Sequence, residues 1–290
     1  MVAILPENTY GRLIKMSKFI AAVVQMNSQQ DKRQNLADAK KFLEDAVAQG
    51  AKFVIFPEGM DYCGLDAKAN AEEIPGGEAY QLLAGLAAEH QIWVHSGSVH
   101  ERNESDDRPY NTSFVINPKG ELAAVYRKIH LFDVDVIDGP SIKESDRVCP
   151  GNEIVTVDTG EIGHLGLSIC YDMRFGELYR LMTLRGANIL CVPACFNLVT
   201  GKDHWEPILR TRAIENGCYV IAPGQIGVKP SMPTYGKSMI IDPWGNVIAR
   251  ASDRPCVITA EIDLDYVESV RKQTYTLDNR RTDRYELTAL

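Results

Sequence analysis

The stretch that decides the fold runs from Phe19 to Phe56, FIAAVVQMNSQQDKRQNLADAKKFLEDAVAQGAKFVIF. Its residues 19–25 form an apolar run of strand length, and residues 52–56 form a second run that ends at a proline. Between them, apolar side chains recur three and four positions apart, and Gly50 follows as a helix stop. This pattern predicts a strand, an amphipathic helix over 35–49 and a second strand, and therefore an α/β fold.

The same alternation of strand-length and helical patterns continues along the chain. It predicts strands at 92–99, 154–157, 163–169, 189–192, 218–222 and 257–262, and helices at 78–90, 176–185 and 204–216. The turns at 118–120 and 242–245 each separate two short apolar runs and predict hairpins. Neither a repeat nor a linker divides the sequence. We expect a single domain over residues 19–290, preceded by an N-terminal extension over residues 1–18.

Charge and cysteine usage exclude several classes of protein. The chain has 31 basic and 39 acidic residues, a net charge of −8, which argues against a nucleic-acid partner because phosphate binding needs clustered Lys and Arg. Its apolar runs fall short of the roughly 18 residues that cross a bilayer, and residues 1–18 do not read as a signal peptide, so we expect no membrane partner. Seven cysteines without CxxC spacing are typical of reduced thiols, which predicts a cytoplasmic location.

Potentially reactive residues follow directly after three of the predicted strands. They are Glu58 in FPEG (56–59), Lys128 in YRKIHLF (126–132) and Cys170 in ICYDMRF (169–175). Strand ends hold side chains rigidly while the adjoining loops shape a pocket around them. The sequence contains none of the HExxH, GxGxxG or Walker motifs, which argues against a metal, dinucleotide or nucleotide site.

Each of these residues has a chemical and a structural interpretation. Cys170 precedes a predicted helix, whose N-terminus would favour the thiolate. The Tyr171 N–H would then form half of an oxyanion hole. The alternative is that Cys170 is only a small buried hydrophobic residue. A partly desolvated Glu58 would have a raised pKa suited to proton transfer, or it is an ordinary loop carboxylate. Lys128 is either an ammonium that offsets an oxyanion or a solvated charge.

In their order along the chain, the three segments resemble the Glu-Lys-Cys signatures of the nitrilase (carbon–nitrogen hydrolase) superfamily, and the resemblance runs from about residue 19 to residue 285. Three further segments, KIHLFDVDV (128–136), KES (143–145) and FNLVTG (196–201), resemble the omega-amidase branch, whose neighbour is the deaminated glutathione amidases. One segment departs from both branches: residues 223–235, PGQIGVKPSMPTY, follow neither pattern.

The resemblance implies a four-layer α-β-β-α sandwich whose subunits pair into a homodimer or a higher homo-oligomer. It implies that Cys170 is a nucleophile that forms a thioester, with Glu58 as the base that moves protons. Lys128 and the Tyr171 N–H would stabilise the oxyanion, and Glu144 would hold Lys128 or the substrate amide. This chemistry needs no metal and no organic cofactor.

For the substrate, the resemblance implies a small omega-carboxamide such as 2-oxoglutaramate or 2-oxosuccinamate. Because such a molecule carries a carboxylate, Arg174 is the first candidate to bind it and Lys202 a weaker one. The alternative for Arg174 is an ion pair with Asp172 or Glu177. Further substrate-binding or supporting positions are Phe196 and Asn197.

Other functions share the same three residues. A deaminated glutathione amidase would accept a larger amide, and an N-carbamoyl amino acid amidohydrolase or a nitrilase would use the same triad on another bond. A non-catalytic scaffold of the same fold is the alternative from a different class.

Overall fold

The computed structural model describes residues 17–137 and 141–289, so most of the predicted N-terminal extension, residues 1–16, lies outside the described residues. Within these ranges the α-helices are α1 (Lys32–Ala48), α2 (Glu78–His90), α3 (Gly176–Leu184), α4 (Leu198–Asn216) and α5 (Leu264–Thr274). Two 3-10 turns cover Glu144–Asp146 and Cys170–Arg174. Of the helices described, none is long and apolar enough to cross a membrane.

The strands are short and numerous. They are β1 (Lys18–Gln25), β2 (Ala51–Ile55), β3 (Trp93–His95), β4 (Val99–Glu101), β5 (Tyr110–Ile116), β6 (Leu122–Arg127), β7 (Asp133–Asp135), β8 (Ser141–Lys143), β9 (Thr156–Asp158), β10 (His164–Leu167), β11 (Ile189–Cys191), β12 (Tyr219–Ala222), β13 (Ile226–Val228), β14 (Pro233–Tyr235), β15 (Met239–Ile241), β16 (Val247–Arg250) and β17 (Cys256–Asp263).

Strand β1 is an interior strand of the first of two large sheets, a seven-stranded sheet in the order β17-β1-β2-β3-β5-β4 with β6 also paired to β5. Alternate side chains of β1 enter different cores: Phe19, Ala21 and Val23 belong to one, and Ala22 and Val24 to the other. Both faces of the strand are therefore buried, which explains the unbroken apolar run in the sequence.

The second large sheet has six strands in the order β16-β15-β12-β11-β10-β9. One core joins the first sheet to the second sheet and to α3 and α4, and the other core fills the space between the first sheet and α1 and α2. The layers are thus helices, sheet, sheet and helices, and the predicted sandwich is confirmed. The two predicted hairpins are also confirmed, as β5–β6 and β15–β16.

Two predicted elements differ most from the structure in their bounds. The helix predicted to begin at residue 204 begins at Leu198, because the Asn197 side chain caps it by accepting a hydrogen bond from the Val199 N–H at 2.8 Å. The apolar pattern did not predict this start, because the side chains of Leu198 and Val199 are exposed and interrupt the apolar stripe of the helix.

The strand predicted over 92–99 is divided into β3 and β4. Gly97 separates them with a φ of +71°, a conformation that favours glycine. A Cβ at this position would lie 2.0 Å from the Pro57 carbonyl oxygen, so the chain passes directly against the end of the segment that carries Glu58.

We expect Trp205→Ala to lower the free energy of unfolding by about 3–5 kcal/mol. The Trp205 side chain is fully buried in α4, its ring lies 5.1 Å from that of Phe196, and its indole N–H donates to the Lys237 carbonyl at 2.9 Å. Chemical denaturation would measure the loss. Trp244, which is 51% exposed, provides the matched control, and its change to alanine should cost no more than about 0.5 kcal/mol. Equal losses would contradict this account.

Candidate active site

The structure brings the three candidate residues together from both sheets. Glu58 lies three residues beyond β2 and Lys128 directly follows β6, both in the first sheet, whereas Cys170 lies three residues beyond β10 in the second. All three side chains line one pocket. The cluster therefore exists only when the two sheets are packed face to face.

Lys128 is the centre of the charged cluster. Its side chain is 2% exposed, and its ammonium donates to Glu58 Oε1 at 3.0 Å and to the two Glu144 oxygens at 3.1 and 2.9 Å. Burial by itself lowers the pKa of Lys128, but the carboxylates of Glu144 and Glu58 raise it well above its usual value. Lys128 is therefore a fixed positive charge.

Glu58 is held by three hydrogen-bond donors. Its Oε1 accepts from Lys128 and from the Asn111 side chain at 2.8 Å, and its Oε2 accepts from the Cys195 backbone N–H at 2.6 Å. Burial would raise the pKa of this carboxyl, as expected from the sequence, but the Lys128 charge and the hydrogen bonds from Cys195 and Cys170 lower it. The predicted rise is therefore wrong, since donors outweigh desolvation, and Glu58 is an ionised base.

Cys170 also differs from expectation. Rather than opening an α-helix, it begins the five-residue 3-10 turn Cys170–Arg174 with a φ of +50°, and α3 starts later, at Gly176. Burial and the nearby Glu58 carboxylate raise the pKa of the thiol well above its usual value. The predicted thiolate is thus wrong for the resting site, which holds a neutral thiol facing an ionised carboxylate.

Asp172 joins the Cys170 turn to the segment that carries Lys128. One carboxylate oxygen accepts from the Tyr126 hydroxyl at 2.6 Å and from the Ile169 N–H at 2.8 Å. The other oxygen accepts from the His130 N–H at 3.0 Å and lies 2.7 Å from His130 Nδ1. Asp172 is fully buried, so these contacts fix the two segments relative to each other across the sheets.

The Tyr171 backbone N–H follows directly after Cys170 in the chain. Within residues 17–137 and 141–289, no hydrogen-bond acceptor is assigned to this N–H, in contrast to the N–H of Cys170, which donates to the Pro193 carbonyl at 2.8 Å. Such an unpaired donor beside a nucleophile is suited to an oxyanion hole.

The remaining predicted site residues differ in their relation to the pocket. Glu144, Tyr171, Phe196 and Asn197 line it. The carboxylate of Glu144 accepts the Phe132 N–H at 2.6 Å as well as the Lys128 ammonium, so it supports Lys128. The Asn197 oxygen is used as the cap of α4. In the described chain, no group of three or more His, Cys, Asp and Glu side chains could hold a metal ion.

Arg174 is not among the residues that line this pocket. Its guanidinium lies over the rings of Tyr171 and Phe196, and one nitrogen is 3.3 Å from His204 Nδ1. The alternative ion pair with Asp172 or Glu177 is not formed in the part of the chain that is described. Lys202 is likewise outside the pocket lining, and it lies 3.9 Å from Asp203.

Three contacts of Glu58 were not predicted from the sequence. Asn111 is the second residue of β5, where an amide does not by itself indicate a contact with Glu58. The Cys195 contact uses the backbone N–H, which any residue except proline would supply. Gln225 is fully buried, and its amide donates to the carbonyls of Glu58 at 3.1 Å and Gly59 at 3.2 Å. Its only sequence signal is a polar residue at the start of the divergent segment 223–235.

Comparisons with known proteins agree with this geometry. The sequence profile of the carbon-nitrogen hydrolase family matches residues 20–272. The chain is 39% identical over 285 residues to the nitrilase and fragile histidine triad fusion protein NitFhit of Caenorhabditis elegans, covering 96% of this chain and 64% of that relative. The crystal structure of that NitFhit protein superposes with a TM-score of 0.87 over 94% of this chain and 68% of the other. This chain therefore spans somewhat less than two thirds of its fusion relatives, and 58% of the Drosophila melanogaster one.

Two relatives of similar length carry amidase names. The chain is 40% identical to the deaminated glutathione amidase of Synechocystis sp. over 91% of this chain and 99% of the relative. It is 38% identical to human omega-amidase NIT2 over 93% of this chain and 98% of the relative. With the family profile covering most of the sequence and the sandwich fold shared, the chain belongs to the carbon–nitrogen hydrolase family.

Proposed function

We propose that this protein is a cysteine amidase that hydrolyses a small carboxamide to a carboxylate and ammonia. The observation that supports this most is the cluster at the pocket wall: the Cys170 thiol faces the ionised Glu58, which is 3.0 Å from the Lys128 ammonium. A neutral nucleophile, a base and a fixed cation in one buried pocket are the parts that amide hydrolysis needs.

In the first half of the reaction, the Cys170 sulfur attacks the amide carbon while its proton moves to Glu58. Because the proton leaves as the sulfur–carbon bond forms, no free thiolate is needed. The raised pKa of the Cys170 thiol therefore does not prevent the attack. The carbonyl oxygen becomes an oxyanion beside the Lys128 ammonium and the Tyr171 N–H. Glu58 then gives its proton to the leaving nitrogen, and ammonia departs from a thioester.

In the second half, Glu58 takes a proton from water, and the hydroxide formed in this way attacks the thioester carbon. The same two donors stabilise the second oxyanion. Collapse of this intermediate breaks the carbon–sulfur bond, returns the proton from Glu58 to Cys170 and releases the carboxylic acid, which loses its remaining proton to water and becomes the carboxylate. Glu144 holds Lys128 in place throughout, through two contacts at 3.1 and 2.9 Å.

The proposed substrate is an omega-carboxamide with a free carboxylate, of the 2-oxosuccinamate or 2-oxoglutaramate type. The relation to human omega-amidase NIT2 and the resemblance of residues 128–136 and 196–201 support this choice. The relation to deaminated glutathione amidases supports a longer amide as the second candidate. We keep Arg174 as the proposed carboxylate-binding residue, since it lies against Tyr171 and Phe196, which both line the pocket.

We also propose that the protein works as a homo-oligomer in a reducing compartment, the cytoplasm. All seven cysteines are free thiols, which supports such a compartment.

Ammonia release from purified protein tests the proposed function. We expect turnover of 2-oxosuccinamate to exceed that of deaminated glutathione, an N-carbamoyl amino acid and a nitrile assayed alongside. Preferential turnover of deaminated glutathione would instead select the second candidate. Hydrolysis of the carbamoyl compound or the nitrile alone would overturn the substrate assignment. A chain that is inert on the whole panel would be a scaffold.

We expect Cys170→Ala to abolish turnover, because no thioester can form without the sulfur. Lys128→Met should lower kcat by about 100- to 1000-fold, since it removes one oxyanion donor. Cys256→Ala, a half-buried thiol in β17 outside the pocket lining, is the matched control and should keep wild-type kcat. Stopped-time ammonia assays on folded variants provide the measurement, and appreciable turnover by Cys170→Ala would exclude the mechanism.

The pH profile tests the resting protonation states. The pKa of Glu58 lies below its usual value of 4.5 and that of Cys170 well above 9.0, so the thiol–carboxylate pair persists between these limits. We expect kcat/KM for 2-oxosuccinamate to be constant from about pH 5.5 to 8.5 and to fall in acid as Glu58 is protonated. If kcat/KM instead rose with pH, with a midpoint between about pH 5.5 and 8.5, a thiolate would be forming in the free enzyme. That result would contradict the assignment of a neutral thiol and an ionised carboxylate.

A further inference from the structure

A second pair of thiols lies on the wall of the catalytic pocket. Cys63 follows β2 in the first sheet and Cys195 follows β11 in the second, and their sulfur atoms are 3.9 Å apart. Both side chains are half-buried and line the pocket, so a small molecule that reaches Cys170 can also reach them. The mechanism above uses neither sulfur.

A buried cation accompanies this pair. The Lys229 ammonium is held by four neutral oxygens, those of Asn27, Ser28, Gln225 and Ile226, at 2.8 to 3.1 Å. Within the described ranges, no carboxylate lies within 4.0 Å of it. Its charge interacts with the sulfur atoms of both Cys63 and Cys195. An ammonium beside a thiol favours the reactive thiolate.

The two thiols are not equivalent. Contact with the Cys63 thiol, together with burial, raises the pKa of Cys195 well above its usual value. The raised pKa makes Cys195 a slow first nucleophile, so the order of reaction that we infer has Cys63 react with the oxidant and Cys195 complete the bond.

Cys195 contacts the catalytic base, and Cys63 contacts the residue next to it. The Cys195 N–H donates to Glu58 Oε2 at 2.6 Å. The Cys63 sulfur packs against the next residue, Gly59, 3.0 Å from the position that a Cβ would occupy. A disulfide needs the sulfur atoms about 2 Å closer than they are. Such a movement would shift the two segments that hold the Glu58 carboxylate.

We propose that Cys63 and Cys195 form an oxidative modification site, at which a hydroperoxide converts the two thiols into a disulfide that displaces Glu58 and stops amide hydrolysis. The Cys63 sulfur attacks one peroxide oxygen, the O–O bond breaks, and the thiol proton goes to the leaving oxygen, which gives a sulfenic acid and an alcohol or water. The Cys195 sulfur then attacks the Cys63 sulfur, the S–O bond breaks, and the leaving hydroxyl takes the Cys195 thiol proton and departs as water. The two thiols lose two electrons in total, and the peroxide gains them.

Treatment of the reduced protein with hydrogen peroxide tests this site. The number of titratable thiols should fall from seven to five, with a cross-linked peptide containing Cys63 and Cys195 in the digest. Amide hydrolysis should fall at least tenfold in step with the cross-link and return after dithiothreitol. The activity readout rests on the proposed function, but the thiol count and the peptide do not, so an inert protein would leave the disulfide test intact.

Two variants separate this site from oxidation of Cys170. Cys63→Ser should keep its own reduced activity at peroxide doses that inactivate the wild type, because the Cys170 thiol is protonated and reacts slowly. Cys256→Ala should be inactivated like the wild type. Absence of the cross-linked peptide would overturn the proposal. So would inactivation of Cys63→Ser at the wild-type rate, or a fully cross-linked protein with unchanged turnover.

Discussion

The ion pair between Lys128 and Glu58, with Glu144 as the second acid, is the constraint on which the site depends. A buried ammonium is stable only when its hydrogen bonds and charge are matched, and here two carboxylates surround it. The acids come from the segments after β2 and β8, and the lysine follows β6. Removing Lys128 would leave the two carboxylates facing each other without a cation, so the lysine is the member on which the arrangement of the pocket wall depends.

The packing of two sheets converts this cluster into a reactive site. Glu58 and Lys128 follow strands of the first sheet and Cys170 follows a strand of the second, and Asp172 connects the two sides through the Tyr126 hydroxyl and the His130 backbone. The Gln225 side chain donates to the Glu58 carbonyl and the Cys195 N–H donates to the Glu58 carboxylate. Both donors lie in segments that follow strands of the second sheet. The reacting groups are therefore held by the scaffold rather than by flexible loops.

Periodicity predicted an α/β fold and both hairpins, and the strand-end motifs singled out Glu58, Lys128 and Cys170 as candidates. The four-layer sandwich and the joint role of these three residues came from the resemblance to the nitrilase superfamily. What they missed has physical causes. The start of α4 lacks an apolar stripe, and the support of Glu58 by Cys195 uses a backbone group that leaves no trace in the sequence. Both pKa directions were wrong because they depend on the balance between desolvation and neighbouring charges, which only coordinates supply.

The divergent segment 223–235 folds as a small hairpin, β13–β14, that stands apart from both large sheets. It is fastened at one end by Gln225 and at the other by the Tyr235 N–H, which donates to the Phe196 carbonyl at 2.9 Å. Residues near its tip, Ser231 and Met232, face the pocket. Substitutions at the tip can therefore change the pocket lining, and with it the amide that fits, while the two anchors and the catalytic groups stay unchanged.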